Sequence, residues 1–226
     1  MTDGMFEAHV TVDCDDGPAS ASRLEGWSAT RGWKFTHIVL ASGLMPSQPM
    51  LTLRGCGSYE EQLRTCRWAS QALRDAGFSP VRVKIEVPAW ASMVPRSDVQ
   101  AQLLDGQGNP AGCASQYFEH HLKVLLDPGS EVCLSALTAT AVAHSAHVSW
   151  NARRARGGTD YQERFVTQRC YGVGLPVAQT RLAALTRAVE DLSIEIIEVE
   201  QEFVVYDSNM AVDDGWMVMM NEGAVR

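Results

Sequence analysis

The chain has 226 residues, 46% of them hydrophobic, which is enough to bury a core and argues against a disordered protein. Its 19 basic and 27 acidic residues give a net charge of -8, the wrong sign for a protein that neutralises nucleic-acid phosphates. The sequence shows neither a signal peptide nor the run of ~20 apolar residues that a membrane helix needs, and its six cysteines form no CxxC pair. We therefore expect a cytoplasmic protein with reduced thiols, whose partner is a small molecule and not a nucleic acid or a membrane.

The first half of the chain predicts four strands and two helices in the order β-α-β-β-α-β. Alternating apolar and polar residues predict the strands, at 6–12 (FEAHVTV), 34–41 (KFTHIVLA), 50–54 (MLTLR) and 81–87 (VRVKIEV). The first helix is expected over 18–32. A capping box of Ser58 and Glu61 begins the second helix, which ends at Gly77.

The second half repeats this order. Strands are predicted at 118–126 (FEHHLKVLL), 146–151, 164–170 and 194–205, and helices at 129–144 and 176–189. The heptads FEAHVTV and FEHHLKV, which begin the two halves, share Phe, Glu, His and Val in the same places. We therefore predict an α+β fold, a tandem duplication of a ferredoxin-like βαββαβ unit, with two four-stranded antiparallel sheets related by pseudo-two-fold symmetry.

This duplication divides the chain into four segments. The first repeat is expected over 1–92 and the second over 116–209. The linker between them, 93–115, contains two prolines and three glycines and has no sustained periodicity. A C-terminal extension, 210–226, either lengthens the last strand or lies across the other repeat.

Alternation also sends one set of polar side chains to the face of each sheet that the helices leave open. On that face each half repeats one series: a histidine, a second histidine, Thr-x-Arg and a glutamate. With the usual strand order 4-1-3-2, the series forms a row across each sheet, Glu86, His9, Arg54 and His37 in the first and Glu198, His121, Arg169 and His147 in the second. Neighbouring strands lie ~4.8 Å apart, so adjacent members of a row can share one small ligand.

These rows predict an enzyme that acts on a small anionic metabolite in a cleft between the two repeats. Arg54 and Arg169 can hold a phosphate or carboxylate group through bidentate hydrogen bonds, and histidines can act as acid and base. The candidate catalytic residues are His9, His37, His121 and His147. Thr11, Lys123 and Ser149 are further candidate substrate-binding residues.

Two tripeptides, HVT at 9–11 and HVS at 147–149, fit the pattern H-x-[T/S]. One such tripeptide in each lobe of a duplicated α+β protein of about this size resembles the 2H phosphoesterases. This resemblance implies a hydrolase of the phosphoesterase type. The two tripeptides are not equivalent in the duplication, because His9 corresponds to His121 and His147 corresponds to His37.

Two other functions fit the same polar face. Histidine and carboxylate on neighbouring strands suit a zinc, iron or manganese centre. The candidate metal ligands are Glu7, His9 and Glu86 in the first repeat and Glu119, His121 and Glu198 in the second. The second is a non-catalytic module that binds a small acidic ligand or a partner protein, which needs no titration of the histidines. A sheet face that is merely exposed to solvent would also be polar, without any function. No cofactor follows firmly from the sequence, and a divalent metal enters only with the metal-centre hypothesis.

Overall fold

Eight strands and five α-helices make up the part of the chain that the computed structural model describes, residues 4–14, 18–106, 116–127, 130–152 and 162–215. The strands are β1 (Gly4–Asp13), β2 (Lys34–Leu40), β3 (Ser47–Gly57), β4 (Ser79–Pro88), β5 (Tyr117–Leu126), β6 (Ala146–Asn151), β7 (Gln162–Tyr171) and β8 (Glu195–Asp207). The helices are α1 (Pro18–Ala29), α2 (Tyr59–Asp75), α3 (Asp98–Gly106), α4 (Glu131–Ala143) and α5 (Leu175–Glu190), and a short 3-10 helix follows β8 at Met210–Asp213. Both halves have the predicted order β-α-β-β-α-β, with α3 between them.

All eight strands belong to one antiparallel sheet, which closes into a barrel in the order β1-β3-β2-β6-β7-β5-β8-β4. Within each half the strands follow the expected order 4-1-3-2, but the prediction of two separate sheets is wrong. The edge strands of the two halves pair with each other, β2 with β6 and β4 with β8. A sheet edge carries unpaired N–H and C=O groups, and these two pairings leave neither half with a free edge.

Two apolar clusters fill the space between the barrel wall and the helices. One lies under α1 and α2, and the other lies under α4 and α5. Members with no exposed surface are Val10, Leu51 and Leu73 in the first cluster and Leu122, Val166 and Leu185 in the second. Because alternate side chains of the strands enter these cores, the others point into the barrel.

The helix ends agree with the local sequence signals. The capping box before α2 is present, since Glu61 N–H donates to Ser58 Oγ at 3.3 Å and Ser58 N–H donates to Glu61 Oε2 at 2.8 Å. Ser130 caps α4 by accepting from Cys133 N–H, and a proline stands in the first turn of α5. None of the described helices is long and apolar enough to cross a membrane.

The predicted linker and C-terminal extension each contain a short helix. Within 93–115, residues 98–106 form α3, and 107–115 lie outside the described residues. The extension does not lengthen β8. Its 3-10 helix packs against β4, and Leu44 N–H donates to Asp214 O at 2.8 Å, so the described part of the extension, residues 210–215, lies against the first half of the chain. Residues 216–226 are outside the described part of the chain.

Gly174, just before α5, lies against the backbone of Ser97. A Cβ added at Gly174 would lie 2.5 Å from the Cα of Ser97, so the backbone would have to move. We expect Gly174→Ala to lower the free energy of unfolding in urea by about 1–3 kcal/mol, the usual cost of overpacking.

Gly26→Ala is the matched control. Gly26 lies inside α1, and no described atom lies within 4 Å of its added Cβ. Its substitution should raise the free energy of unfolding by up to about 1 kcal/mol, because alanine favours a helix more than glycine does. Equal effects of the two substitutions would contradict the close approach of Gly174 to Ser97.

Candidate functional site

The side chains that point away from the helices line a cavity of about 440 Å³ inside the barrel, a volume that suits a small molecule. The predicted site residues that line it are Glu7, His9, Thr11, Arg54, Glu119, His121, Lys123, His147, Ser149, Arg169 and Glu198. Glu86 is buried in contact with two lining residues, His9 and Lys84. Barrel closure therefore turns the two predicted open faces into the wall of one cavity.

The two ends of this cavity differ in exposure. Because neighbouring strands are antiparallel, the starts of β2 and β8 and the ends of β3 and β5 lie at the same end of the barrel. Exposed lining residues at that end are Lys34, Arg54, Glu198 and Glu200. Buried residues at the other end are Gln48, Arg82, Arg169, Asp207 and Asp213. The cavity therefore has its mouth near Arg54, and the 3-10 helix closes the opposite end.

His9 is held by groups from the two strands beside it. The register places His9 opposite Thr52 on β3 and Lys84 on β4. His9 Nδ1 lies 3.0 Å from Thr52 Oγ1, and its Nε2 lies 2.8 Å from Glu86 Oε2 and 3.8 Å from Glu7 Oε1. These contacts on both nitrogens fix the orientation of the ring.

His121 has the corresponding environment in the second half. Its Nδ1 lies 3.0 Å from Thr167 Oγ1, and its Nε2 lies 3.3 Å from Glu119 Oε1 and 3.6 Å from Glu202 Oε2. The register pairs Glu7 with Glu86 and Glu119 with Glu202. Glu202, and not Glu198 as predicted, is therefore the counterpart of Glu86.

Buried charges connect the two histidine clusters. Lys84 Nζ donates to Glu119 Oε1 and lies 2.6 Å from Glu86 Oε1, while Arg169 Nε donates to Glu119 Oε2 at 2.6 Å. Glu86 and Glu119 are each 1% exposed. Buried carboxylates are costly unless cations compensate them, and here cations from both halves do so.

A second group of charges lies at the closed end. Asp213 Oδ2 accepts from Arg82 Nη1 and from Arg169 Nη2, both at 2.7 Å, and its Oδ1 accepts from Gln48 Nε2 at 2.8 Å. Arg82 also donates to both oxygens of Asp207, at 2.9 and 2.5 Å. The 3-10 helix is thus bound to the barrel interior through one carboxylate.

The carboxyl groups around the two histidines differ in acidity. Burial, reinforced by the charge of Glu86, raises the pKa of Glu202 to about 8. Burial alone would raise the pKa of Glu86 as well, but Lys84 and His9 hold it at about 2. Burial likewise opposes the charged form of His121, but Glu119 outweighs this effect and raises the pKa of the ring. Near neutral pH, Glu202 therefore keeps a proton while Glu86 is ionised.

The structure corrects the prediction for His37. Cavity-lining residues of β2 are Lys34, Thr36, Ile38 and Leu40, so His37 points the other way. Its Nε2 lies 2.9 Å from Ser47 Oγ. The strand has apolar residues on both faces, and Phe35 packs against the first core cluster, so alternation alone chose the wrong face.

Two other predicted residues lie in the cavity wall with altered roles. Burial and the charge of Arg169 lower the pKa of His147 to about 3, so its ring is neutral near pH 7. Arg54 lies opposite Glu7, not beside His9, and donates to Glu7 Oε2 at 2.8 Å. The predicted row therefore keeps His9 next to Glu86 but does not keep Arg54 next to His9.

Sequence reasoning missed several residues of the site. They are Lys34, Gln48, Arg82, Lys84, Glu200, Glu202 and Asp213. Alternation along Glu198-Val199-Glu200-Gln201-Glu202 places all three glutamates on one face, and this signal could have identified Glu200 and Glu202. Nothing local marks Asp213, because its partners are far away in the sequence.

Comparison with known proteins adds no relative. No protein-family model matches the chain, and a search of the curated proteins finds no match. Both H-x-[T/S] tripeptides do line the cavity, through His9 and Thr11 on β1 and His147 and Ser149 on β6.

Glu119 and Glu7 occupy equivalent places in the two halves and provide a matched test of the buried charges. Glu119→Ala would remove one of the two carboxylates that contact Lys84 and one of the two that contact Arg169, both of them buried cations, and we expect it to lower the free energy of unfolding by about 3 kcal/mol. Glu7→Ala removes the partner of Arg54, whose side chain is 75% exposed, and a carboxylate 3.8 Å from His9 Nε2, and should cost at most about 1 kcal/mol. Urea denaturation of both variants checks the difference, and similar losses would contradict it.

Proposed function

We propose that this protein is an enzyme that acts on a small anionic molecule inside the barrel by proton transfer. His121 and Glu202 would be the central acid–base pair. The observation that carries the proposal is geometric: Glu202, 24% exposed in the cavity wall, has Oε2 3.6 Å from His121 Nε2, and burial there raises the pKa of its carboxyl group to about 8. Packing of the core does not require a protonated carboxyl group at this position. General acid catalysis does require a group that still carries its proton near neutral pH.

The different pKa values of Glu86 and Glu202 support this assignment. Glu86 and Glu202 hold equivalent positions in the two halves, yet one is ionised and the other protonated near pH 7. Sites in which the environment separates the pKa values of two carboxyl groups commonly divide the acid and base roles between them. Glu202 would donate a proton to the substrate. His121, whose Nε2 lies 3.6 Å from Glu202 Oε2, would exchange a proton with Glu202.

Cations at the mouth support an anionic substrate. Lys34, Arg54 and Lys123 line the cavity at or near its open end. Arg54 pairs there with Glu7 and Lys123 with Glu163, and Glu198 and Glu200 lie at the same end. A phosphate or carboxylate group of the substrate would therefore be attracted by these cations where it takes the place of a glutamate. The proposed activity includes the phosphoesterase type that the H-x-[T/S] tripeptides imply.

We also infer that the barrel contains two copies of one ferredoxin-like unit. The matched contacts of His9 and His121 with Thr52 and Thr167 support this inference, because packing alone does not require them. The two copies differ in the residues beside these histidines. The register gives His9 a lysine neighbour, Lys84, and gives His121 a glutamate neighbour, Glu200.

The test of the proposed function uses a panel of small phosphoesters and carboxylate-bearing compounds. With a substrate found there, Glu202→Gln and His121→Asn should each lower kcat by about 10²- to 10⁴-fold, the usual contribution of an acid or base, with a smaller change in binding. Because Glu202 must be protonated to donate, the activity should be present below its pKa and should fall as the pH rises through about 8. The pH–rate profile measures this loss.

His37→Asn is the control, since His37 lies outside the cavity and its substitution should leave kcat unchanged. A Glu202→Gln variant with the rate and pH profile of the wild-type protein would refute the acid role.

A metal-dependent enzyme is the second candidate function. One ligand atom from each of Glu86, Glu119 and His121 lies within 4.8 Å of the others. Within the described part of the chain, neither oxygen of Glu86 makes a hydrogen bond of good geometry, although both lie at ion-pair distance from Lys84 or His9. Lys84 opposes a metal ion, because its ammonium group already contacts both carboxylates.

Metal analysis of the purified protein separates the two candidates. A metal-dependent enzyme should carry close to one equivalent of zinc, iron or manganese and should lose it in Glu119→Gln, because ligand removal weakens a site of this kind strongly. A content below about a tenth of an equivalent, with activity resistant to chelators, would eliminate the metal-dependent candidate.

A further inference from the structure

We propose that Gln48, Arg82 and Arg169 form an anion-binding subsite at the closed end of the cavity, and that Asp213 is its intramolecular occupant. A carboxylate or phosphate group of a small molecule in the barrel would then compete with Asp213 for this subsite. The inference deepens the proposed function, since it assigns a place to the substrate's anionic group, and it rests on that function for its biological meaning. Its test measures anion binding and does not depend on catalysis.

The contacts of Asp213 are those of a bound oxyanion. One of its oxygens accepts from two guanidinium groups at 2.7 Å, and the other accepts from a side-chain amide at 2.8 Å. The three donors come from three different strands, β3, β4 and β7. Charge-assisted bonds from two arginines to one group are the usual means of holding a phosphate or carboxylate.

The two arginines need an anion at this position. Arg82 and Arg169 are 5% and 7% exposed, and each disfavours the charge of the other. Asp207 compensates Arg82 and Glu119 compensates Arg169, but Asp213 is the carboxylate that both share. Any anion that replaces Asp213 gains the same two bonds without reorganisation of the barrel.

The segment that carries Asp213 is short and lies outside the sheet. It follows directly from β8, which ends at Asp207, and the 3-10 helix contributes one buried apolar side chain, Val212. Leu44 N–H holds it through the carbonyl of Asp214. Withdrawal of the segment would break no pairing between strands, so the barrel itself would stay intact.

The equivalent arginine in the first half, Arg54, lacks these neighbours, because the register makes Glu198 the counterpart of Arg82. Arg54 corresponds to Arg169, because the register places Arg54 opposite Glu7 and Arg169 opposite Glu119. Arg54 binds Glu7 at the open mouth, and its side chain is 75% exposed compared with 6% for Arg169. The difference in burial between the two arginines coincides with the 3-10 helix that covers only the Arg169 end.

A free anion and Asp213 would compete for the same donors, so removal of Asp213 should strengthen anion binding. An occupant tethered by a few residues acts at an effective concentration in the millimolar range or above, so a free anion binds weakly until that occupant is removed. Titration calorimetry with inorganic phosphate near neutral pH, on the full chain, measures the effect. We expect Asp213→Ala to bind phosphate at least about tenfold more tightly than the wild-type protein.

Three further variants make the result specific. Asp214→Ala removes a neighbouring exposed carboxylate and should bind phosphate as the wild-type protein does. Arg169→Gln added to Asp213→Ala should abolish the gain. Asp213→Asn keeps the shape of the side chain but removes its charge, and it should also bind phosphate more tightly. If circular dichroism shows that Asp213→Ala does not fold, Asp213→Asn replaces it in the titration.

Two results would overturn the subsite. One is equal phosphate affinity in the wild-type protein and the folded Asp213 variant, which would make Asp213 a structural anchor only. The other is a gain that survives Arg169→Gln, which would place the phosphate elsewhere. Neither result affects the activity test of His121 and Glu202, so the two proposals fail separately.

Discussion

Closure of the barrel is the constraint on which the rest of this structure depends. The pairings of β2 with β6 and of β4 with β8 remove the four free edges that two separate sheets would have, and they turn both polar faces inward. In an open sheet those polar faces would meet water. Inside the barrel, Glu86 from one half and Glu119 from the other are 1% exposed and come together on Lys84. Burial of the charges is therefore a consequence of strand pairing between the two halves, and Lys84 and Glu86 themselves belong to the β4–β8 ladder.

Desolvated charges then need partners, and the partners come from both halves of the chain. Lys84 of the first half contacts Glu119 of the second, and Arg82 and Arg169 share Asp213. Buried ion pairs of this kind add little net stability, but the loss of one member is costly, so they fix side chains in place. The same compensation lowers the pKa of Glu86 and leaves that of Glu202 raised, which makes two glutamates of one cavity chemically different.

The two halves share a scaffold and differ in the residues that fill it. Thr52 and Thr167 orient His9 and His121 in the same way. The neighbours of these histidines on β4 and β8 have opposite charge, Lys84 in one case and Glu200 in the other. One end of the cavity is open at Arg54, and the 3-10 helix closes the other. The barrel therefore has one mouth, one closed end and an asymmetric set of acids and bases.

The sequence by itself determined the order of the elements within each half and the face on which His9, His121 and Arg169 lie, because a strand has a period of two and its apolar face must meet the helices. The strand order 4-1-3-2 is the usual one for this arrangement, and the sheet has it. The sequence failed at His37, since β2 is apolar on both faces and only packing chose between them. The sequence also predicted Glu198 as the counterpart of Glu86, and this was wrong. Three glutamates alternate along β8, and only the hydrogen-bond register selects Glu202 among them. Asp213 and the joining of the two halves were decided by the tertiary structure, because both depend on contacts between residues more than a hundred positions apart.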